Sequence, residues 1–314
     1  MDLSNYKDKV VLVTGGTGFV GTNLCAALVS AGALVHAIHK NESTPIKQIA
    51  NVSYHTLNVN DLEKLANFLK TIKPNYIFHL AADIDRKRDV EQFRESTTTN
   101  LIGLLNILQT IVSLGYRMPL ILAGTAEEYG DRPVPFREDV QEKPVSPYSF
   151  SKVASTYLAR TFYSAYSLPI VILRPTIAYG PNQKGDMFIP SLIRALSSGN
   201  EFKMTKGEQT RDFIFIDDLI EAYLLAGLSA EKLAGETINI GYGHPHKLKE
   251  VAKKIGELMG KPDKIMYGAS PYRIGEVMQY FVDNSKAKRM LGWKPRTDLE
   301  KGLGITMANL DKHD

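Results

Sequence analysis

Tyr148-Ser149-Phe150-Ser151-Lys152 places a phenol and an ammonium four residues apart. On a helix that spacing puts both side chains on one face. A phenol with a pKa near about 10 is a poor base at neutral pH, but an adjacent cation favours its ionised form. Lowering it by about three units takes roughly 4 kcal/mol, a reasonable demand on two nearby positive charges. Tyr148 would then take a proton from an alcohol as hydride leaves the same carbon, or return it in the reverse direction. Lys152 supports that role. Thr125 follows an apolar run at 119–123, where an open parallel sheet gathers its ligands. Its hydroxyl suits holding the reacting oxygen against Tyr148.

A second stretch supplies the hydride partner. Val10-Val11-Leu12-Val13-Thr14 is a β-branched apolar run, as in a strand buried on both faces. Gly16, Gly18 and Gly21 then satisfy G-x-G-x-x-G, and Gly15 extends the pattern. Such glycines allow a tight turn and close backbone approach to a pyrophosphate, and the helix opened by Phe19 and Val20 presents its first amides to the phosphates. A dinucleotide cofactor is therefore expected. Its identity depends on the end of the second strand, which reads Ala37-Ile38-His39-Lys40. Sites for NAD usually carry Asp or Glu there. Lys40 instead would attract a 2′-phosphate and His39 could donate to it, while Glu42 could still reach a ribose. NADP(H) is the favoured cofactor and NAD(H) the alternative.

Alternating strand and helix patterns must position these residues. Strands are expected at 10–14, 34–38, 51–57, 76–82, 119–123 and 169–173, the last stopped by Arg174-Pro175. Helices are expected at 61–71, 91–114 and 147–166. Ser146 suits the N-cap of the last and Pro147 its first position. Further on come helices at 188–198, 217–227, 247–259 and 285–291 and short strands at 213–216 and 237–240. The fold class is α/β: a Rossmann-type doubly wound parallel sheet with a smaller C-terminal α/β lobe. Residues 1–175 with about 212–240 form the dinucleotide half, and 176–211 with 241–314 the substrate lobe.

Composition narrows the partners. The chain has 314 residues and 44% hydrophobic content, enough for a sizeable core. A net charge of +4 without a basic block suits small anionic ligands and argues against a nucleic-acid face. Cys25 is the sole cysteine, so no intrachain disulfide forms, and it reads as apolar filler. The polar N-terminus is no signal peptide, and no apolar run reaches membrane-spanning length. A cytoplasmic location, no membrane association and no metal are expected.

The chain resembles the extended short-chain dehydrogenase/reductases that modify nucleotide sugars. The resemblance runs nearly end to end: the glycine turn, Asn58-Val59, His79-Leu80-Ala81-Ala82, Asn100, Thr125 with Tyr129-Gly130, Tyr148 and Lys152, Arg174-Pro175, Tyr179-Gly180-Pro181, Arg211-Asp212-Phe213 and Gly292-Trp293-Lys294-Pro295. It implies that Asn58 and Val59 meet the adenine, that Leu80, Ala81, Ala82, Asn100, Tyr148 and Lys152 belong to the cofactor site, and that Arg211 and Arg273 grip the substrate diphosphate, a task that suits guanidinium forks. Phe188 and Ile189 resemble the segment that lies along the base. The long helices at 91–114 and 147–166 resemble the pair through which relatives dimerise as a four-helix bundle.

The resemblance leaves the reaction open among C4 epimerisation, 4,6-dehydration and reduction of a 4-keto sugar. Some dehydratases carry Asp-Glu directly after the threonine; here Ala126 takes the acid's place and Glu127 the second, and both are expected at the substrate, with Glu127 a candidate catalytic group. Dehydration is weakened accordingly. Glu-Glu-Tyr-Gly also resembles 4-keto-6-deoxymannose reductases, which need no dehydration acid and exchange NADPH each turnover. Ile177 stands where many relatives carry an Asn that touches sugar or phosphate. The expected substrate is a GDP-, UDP-, dTDP- or CDP-linked hexose reacting at C4. Reduction of a 4-keto-6-deoxy sugar is placed first and 4-epimerisation with retained NAD second. A non-catalytic NADP-sensing module is the remote alternative.

Overall fold

The computed structural model describes residues 2–40, 48–85, 87–183, 186–273 and 275–309. Seven parallel strands form one sheet: β1 (Val10–Thr14), β2 (Leu34–His39), β3 (Val52–Thr56), β4 (Tyr76–His79), β5 (Leu120–Ala123), β6 (Ile170–Pro175) and β7 (Thr237–Ile240). Their spatial order is β3-β2-β1-β4-β5-β6-β7. The order reverses between β1 and β4, where such sheets open a crevice at their carboxyl ends. Register aligns Thr14 with Ile38 on one side and with His79 on the other.

Helices cover both faces, and the central strands are correspondingly apolar up to the polar residues at their carboxyl ends, Thr14, His79 and Arg174. On one face α1 (Phe19–Ser30) packs Leu24, Cys25 and Leu28 with Leu219 and Tyr223 of α7 (Ile216–Leu228). On the other, α2 (Leu62–Ile72) brings Leu65 and Leu69 to Leu104 and Ile107 of α4 (Gly103–Ser113), and α4 packs in turn on α5 (Pro147–Tyr166), whose Ala159 joins the same core. Cys25 is fully buried and burial pushes its thiol up to about 12, as befits apolar filler. Ser146 caps α5 through the Ser149 N–H, with Pro147 in the first turn.

The remaining elements build the cover over the carboxyl edge. Helix α6 (Phe188–Ser197) and α8 (Leu248–Leu258) pack together, and strand Ile177–Tyr179 pairs with Phe213–Phe215 outside the large sheet. Trp293, beyond α9 (Ser285–Leu291), donates its indole N–H to Asp218 O at 2.9 Å and so ties the C-terminal segment to α7.

Three local expectations change. The run at 91–114 is not one α-helix: α3 (Val90–Ser96) passes through a π-helical stretch, Thr97–Ile102, before α4. Three consecutive threonines are stiff at χ1, and Asn100 turns inward there. Strand β6 does not stop at Leu173, because β5 ends opposite it and Pro175's missing N–H faces no neighbour. Helix α10 (Leu299–Met307) was hidden by Gly302 and Gly304; a Cβ on Gly302 would lie 2.0 Å from Tyr179 Oη.

Candidate active site

The glycine turn is dictated by space. Gly15 holds φ +69°, and a Cβ on it would lie 2.8 Å from Ala81 N. A Cβ on Gly21 would lie 2.2 Å from Gly15 O, so helix α1 comes against the turn only through glycine. This cradle fits a dinucleotide pyrophosphate. It opens into a cleft of about 540 Å³ lined by Gly15, Gly18, Phe19, Val20 and Gly21. His39, Lys40, Asn58, Val59, Leu80, Ala81 and Ala82 line the same cleft. All these residues, expected from the sequence, are thus brought together. Asn58 Oδ1 accepts the Asn60 N–H at 3.0 Å, so the expected adenine contact would share an oxygen already used in a turn. Glu42 lies outside the described residues.

Asn100 does not reach the cleft. It is buried, accepts the Asp83 N–H at 2.7 Å, and donates to Asp83 O at 3.0 Å and Ser151 Oγ at 2.8 Å. It braces the segment after β4 against the helix that carries Tyr148. The expected direct cofactor contact is replaced by this role, because the π-helical stretch aims its amide at the backbone.

Thr125 and Tyr148 both line the cleft, with Glu127 beside them. Thr125 caps a 3-10 turn, Ala126–Tyr129, in which its hydroxyl accepts the Glu127 N–H at 3.2 Å. Lys152 sits almost wholly buried below; its Nζ donates to Ala123 O at 2.7 Å and lies 6.0 Å from the Tyr148 ring centroid. Burial pushes its pKa down to about 8, opposed by the Glu128 carboxylate. The arrangement suits proton transfer at Tyr148, with Thr125 to orient the reacting oxygen.

A second cavity of about 460 Å³ adjoins the first, and Ile177 lines both. Phe188, Ile189, Arg211 and Arg273 all lie on it, so the four residues that the resemblance assigned to substrate converge. Phe188 meets Phe202 edge-on, ring centroids 5.9 Å apart. Arg211 donates to Thr210 O and Val277 O and pairs with Glu276. A smaller space of about 110 Å³ joins the two, with Glu127, Ile177, Arg211 and Arg273 on its walls and Arg88 at its edge. Ala126 is different: it is fully buried against Tyr129, Phe136 and Tyr280 and lines none of these spaces. The 3-10 turn points it inward, so the expected substrate contact is withdrawn.

Sequence reasoning missed the charge cluster beneath the site. Glu128 and Arg174 are fully buried and paired at 2.6 Å, and Arg174 also bonds Glu142 at 2.5 Å. The signal was Arg174 at the end of an apolar strand, since a buried guanidinium demands an internal carboxylate. Glu276 and Arg88 were likewise missed; they stand in a loop and an irregular segment with no periodicity to place them.

Fold and clefts together define an enzyme, an extended short-chain dehydrogenase/reductase. The chain belongs to the nucleotide-sugar epimerase and dehydratase family within that class: the family described as GDP-mannose 4,6 dehydratase matches residues 12–306. The UDP-glucose 4-epimerase of Mycolicibacterium smegmatis is 29% identical over 307 residues, 94% of this chain and 96% of that one. The dTDP-glucose 4,6-dehydratase of Neisseria meningitidis is 30% identical over 331 residues, covering 95% and 92%. Among solved structures, the UDP-glucose 4-epimerase of Thermotoga maritima with UDP-glucose aligns at TM-score 0.90 and 30% identity, covering 96% and 99%. The Thermus thermophilus UDP-glucose 4-epimerase, solved with NAD, aligns at 0.89 and 25%, covering 97% and 100%. Among the described residues no helix is long and apolar enough to cross a membrane.

Proposed function

We propose that this enzyme moves a hydride at C4 of a nucleotide-diphosphate hexose, with 4-epimerisation the reading that its relatives favour. The observation that carries it is the meeting, along Ile177, of a dinucleotide cleft bearing Thr125 and Tyr148 with a cavity bearing Arg211 and Arg273. The arginines hold the diphosphate, Phe188 and Ile189 lie along the base, and the sugar falls between them and Tyr148. Bound nicotinamide would supply the hydride acceptor. Tyr148 takes the proton from the C4 hydroxyl and returns it after the ring presents its other face. Thr125 orients that oxygen, and Lys152 supplies the positive charge that supports the phenolate. Residues 1–175 with about 212–240 hold the cofactor, and 176–211 with 241–314 hold the substrate. Relatives solved with UDP-glucose and with NAD support a UDP-sugar substrate and NAD(H).

A second reading, reduction of a 4-keto-6-deoxy sugar with NADPH, is favoured by one observation. His39 and Lys40, and no carboxylate among the described residues of that strand end, line the adenosine end of the cleft. One experiment separates the two: mass spectrometry of the nucleotide released on denaturing the purified protein, with turnover on UDP-glucose and on a 4-keto-6-deoxy nucleotide sugar. Stoichiometric NAD with epimerisation supports the first reading, and an exchangeable NADPH site with keto reduction the second. Turnover of neither substrate overturns both.

A homodimer through a four-helix bundle of α5 and the α3–α4 run completes the proposal. It is supported by exposed aromatic residues on that face, Phe93, Phe150 and Tyr157, at 42%, 44% and 51%. Light scattering that gives a monomer mass would overturn it.

A further inference from the structure

Two buried charges grip the three residues that carry the catalytic threonine. Lys152 Nζ donates to Ala123 O at 2.7 Å, and Glu128 Oε1 accepts the Thr125 N–H at 2.9 Å. Between them Gly124 leaves room for the carboxylate; a Cβ there would lie 2.7 Å from Glu128 Oε1. The other oxygen, Oε2, accepts from Thr156 Oγ1 at 2.8 Å and from Arg174 Nε and Nη2 at 3.0 and 2.6 Å. Thr156 stands one turn beyond Lys152 on α5, and Lys152 one turn beyond Tyr148. Glu128 therefore touches both the backbone of Thr125 and the helix face that carries Tyr148 and Lys152.

We propose that Glu128 is a positioning residue: it sets the Thr125 hydroxyl against Tyr148 and supplies the anion that faces Lys152. The proposal rests on the proton-transfer reading given above. It divides the two adjacent glutamates, since Glu127 lines the cleft and Glu128 is fully buried. A carboxylate that accepts four hydrogen bonds has one geometry, and that rigidity passes directly to the Thr125 backbone.

The charge balance supports the second half. Lys152 is faced by Tyr148 on its own helix, by His79 of β4 and by Glu128. Burial works against the ammonium, and Glu128 is the group that favours it. On its far side Glu128 meets Arg174, which also bonds Glu142 and lies 4.7 Å over the Tyr129 ring. Glu142 bonds Arg174 and Tyr157 and makes no bond to Thr125, so it serves as the matched control.

The test compares Glu128→Gln, Glu128→Asp and Glu142→Gln in the full-length enzyme. Binding of NAD+ and NADP+ is titrated between pH 6 and 10, and kcat and KM are measured on the substrate that the wild type turns over. Glu128→Gln is expected to lower the pH midpoint at which cofactor binding weakens by about one unit, as Lys152 loses its anion. It is also expected to lower kcat at least about tenfold with little change in KM, as Thr125 drifts. Glu128→Asp keeps the charge but withdraws from Thr125, so kcat falls while the midpoint stays. Glu142→Gln moves neither. A wild-type midpoint and kcat in Glu128→Gln, or equal shifts in Glu142→Gln, overturns the proposal. If Glu128→Gln does not fold, unchanged kcat in Glu128→Asp overturns it. Should the wild type turn over no nucleotide sugar, the proton-transfer reading falls alone and the binding midpoint decides the Lys152 half.

Discussion

Thr14 Oγ1 lies 2.7 Å from His79 Nδ1, joining the ends of two adjacent strands beneath the glycine turn. The same hydroxyl accepts the Ala81 N–H at 3.1 Å. The hydroxyl keeps a second lone pair and its own hydrogen, so the direction of its bond to Nδ1 follows the His79 tautomer. Thr14 and His79 are both buried, and Leu80, Ala81 and Ala82 hang from this junction into the cofactor cleft. A polar pair at this place fixes the cleft floor, and burial keeps His79 neutral there.

Acid stability should report that pair. Burial, with the Lys152 ammonium acting in the same direction, pushes His79 down to about 3. An unfolded histidine binds its proton near about 6.5. Below that pH the unfolded state takes up a proton that the folded state refuses, so His79's contribution is intact above about 6.5 and falls steadily as pH drops toward 3. Between pH 7 and 4.5 one such proton costs roughly 2.5 kcal/mol. Urea unfolding of wild type and His79→Asn at pH 7 and pH 4.5 measures it. The wild type is expected to lose about 2–3 kcal/mol more than the variant over that interval, and parallel losses would show that His79 is not the titrating group.

Replacing Tyr148 with Phe should separate chemistry from binding. The ring and its place beside Lys152 remain, and only the phenolic oxygen, the proposed proton carrier, goes. Loss of general acid-base catalysis is expected to lower kcat by about 10²–10⁴-fold, with cofactor affinity within about threefold of wild type. Steady-state rates beside a fluorescence titration of the dinucleotide decide the matter. Full activity in the variant would remove Tyr148 from the reaction.

The sequence legibility of this molecule follows the strength of its local signals. The glycine turn, the apolar runs of β1 and β6 and the Ser146-Pro147 start of α5 each carry local rules, and each was placed within a residue or two. Tyr148 and Lys152 were legible because helix periodicity alone puts them together. Arg211 and Arg273 came from resemblance, and geometry adds that Arg211 is held by Glu276. What stayed hidden depends on tertiary partners. Nothing local to Asn100 announces that its amide will bond Asp83, 17 residues away. Nothing local to Glu128 reveals Arg174, 46 residues on, and nothing in Ala126 shows which way a 3-10 turn will point it.

Cofactor choice can be read at Lys40. The residue lines the cleft beside His39, beyond the end of β2. If it meets a 2′-phosphate, Lys40→Glu replaces attraction with repulsion, and NADP(H) affinity is expected to fall about tenfold or more while NAD(H) affinity changes little. The wild-type preference should also shrink as salt is raised, since exposed charge pairs are screened. Titration of both cofactors against both proteins at two ionic strengths checks this. Equal affinities in the wild type would assign His39 and Lys40 no part in the choice.

The two arginines of the substrate cavity should fail in different ways. Arg273 is exposed on the cavity wall, whereas Arg211 is half-buried, bonded to two carbonyls and paired with Glu276. If, as proposed, Arg273 meets the diphosphate, Arg273→Ala removes a charge that acts in ground state and transition state alike. KM is therefore expected to rise about tenfold or more with kcat nearly unchanged, and unfolding stability should stay within about 0.5 kcal/mol of wild type. Arg211→Ala also strands Glu276 and frees the carbonyls of Thr210 and Val277. It is expected to raise KM and to cost about 1–3 kcal/mol of stability. Kinetics on the nucleotide sugar together with denaturant unfolding of both variants distinguish them. A substrate KM left unchanged by either substitution would move the diphosphate away from this cavity.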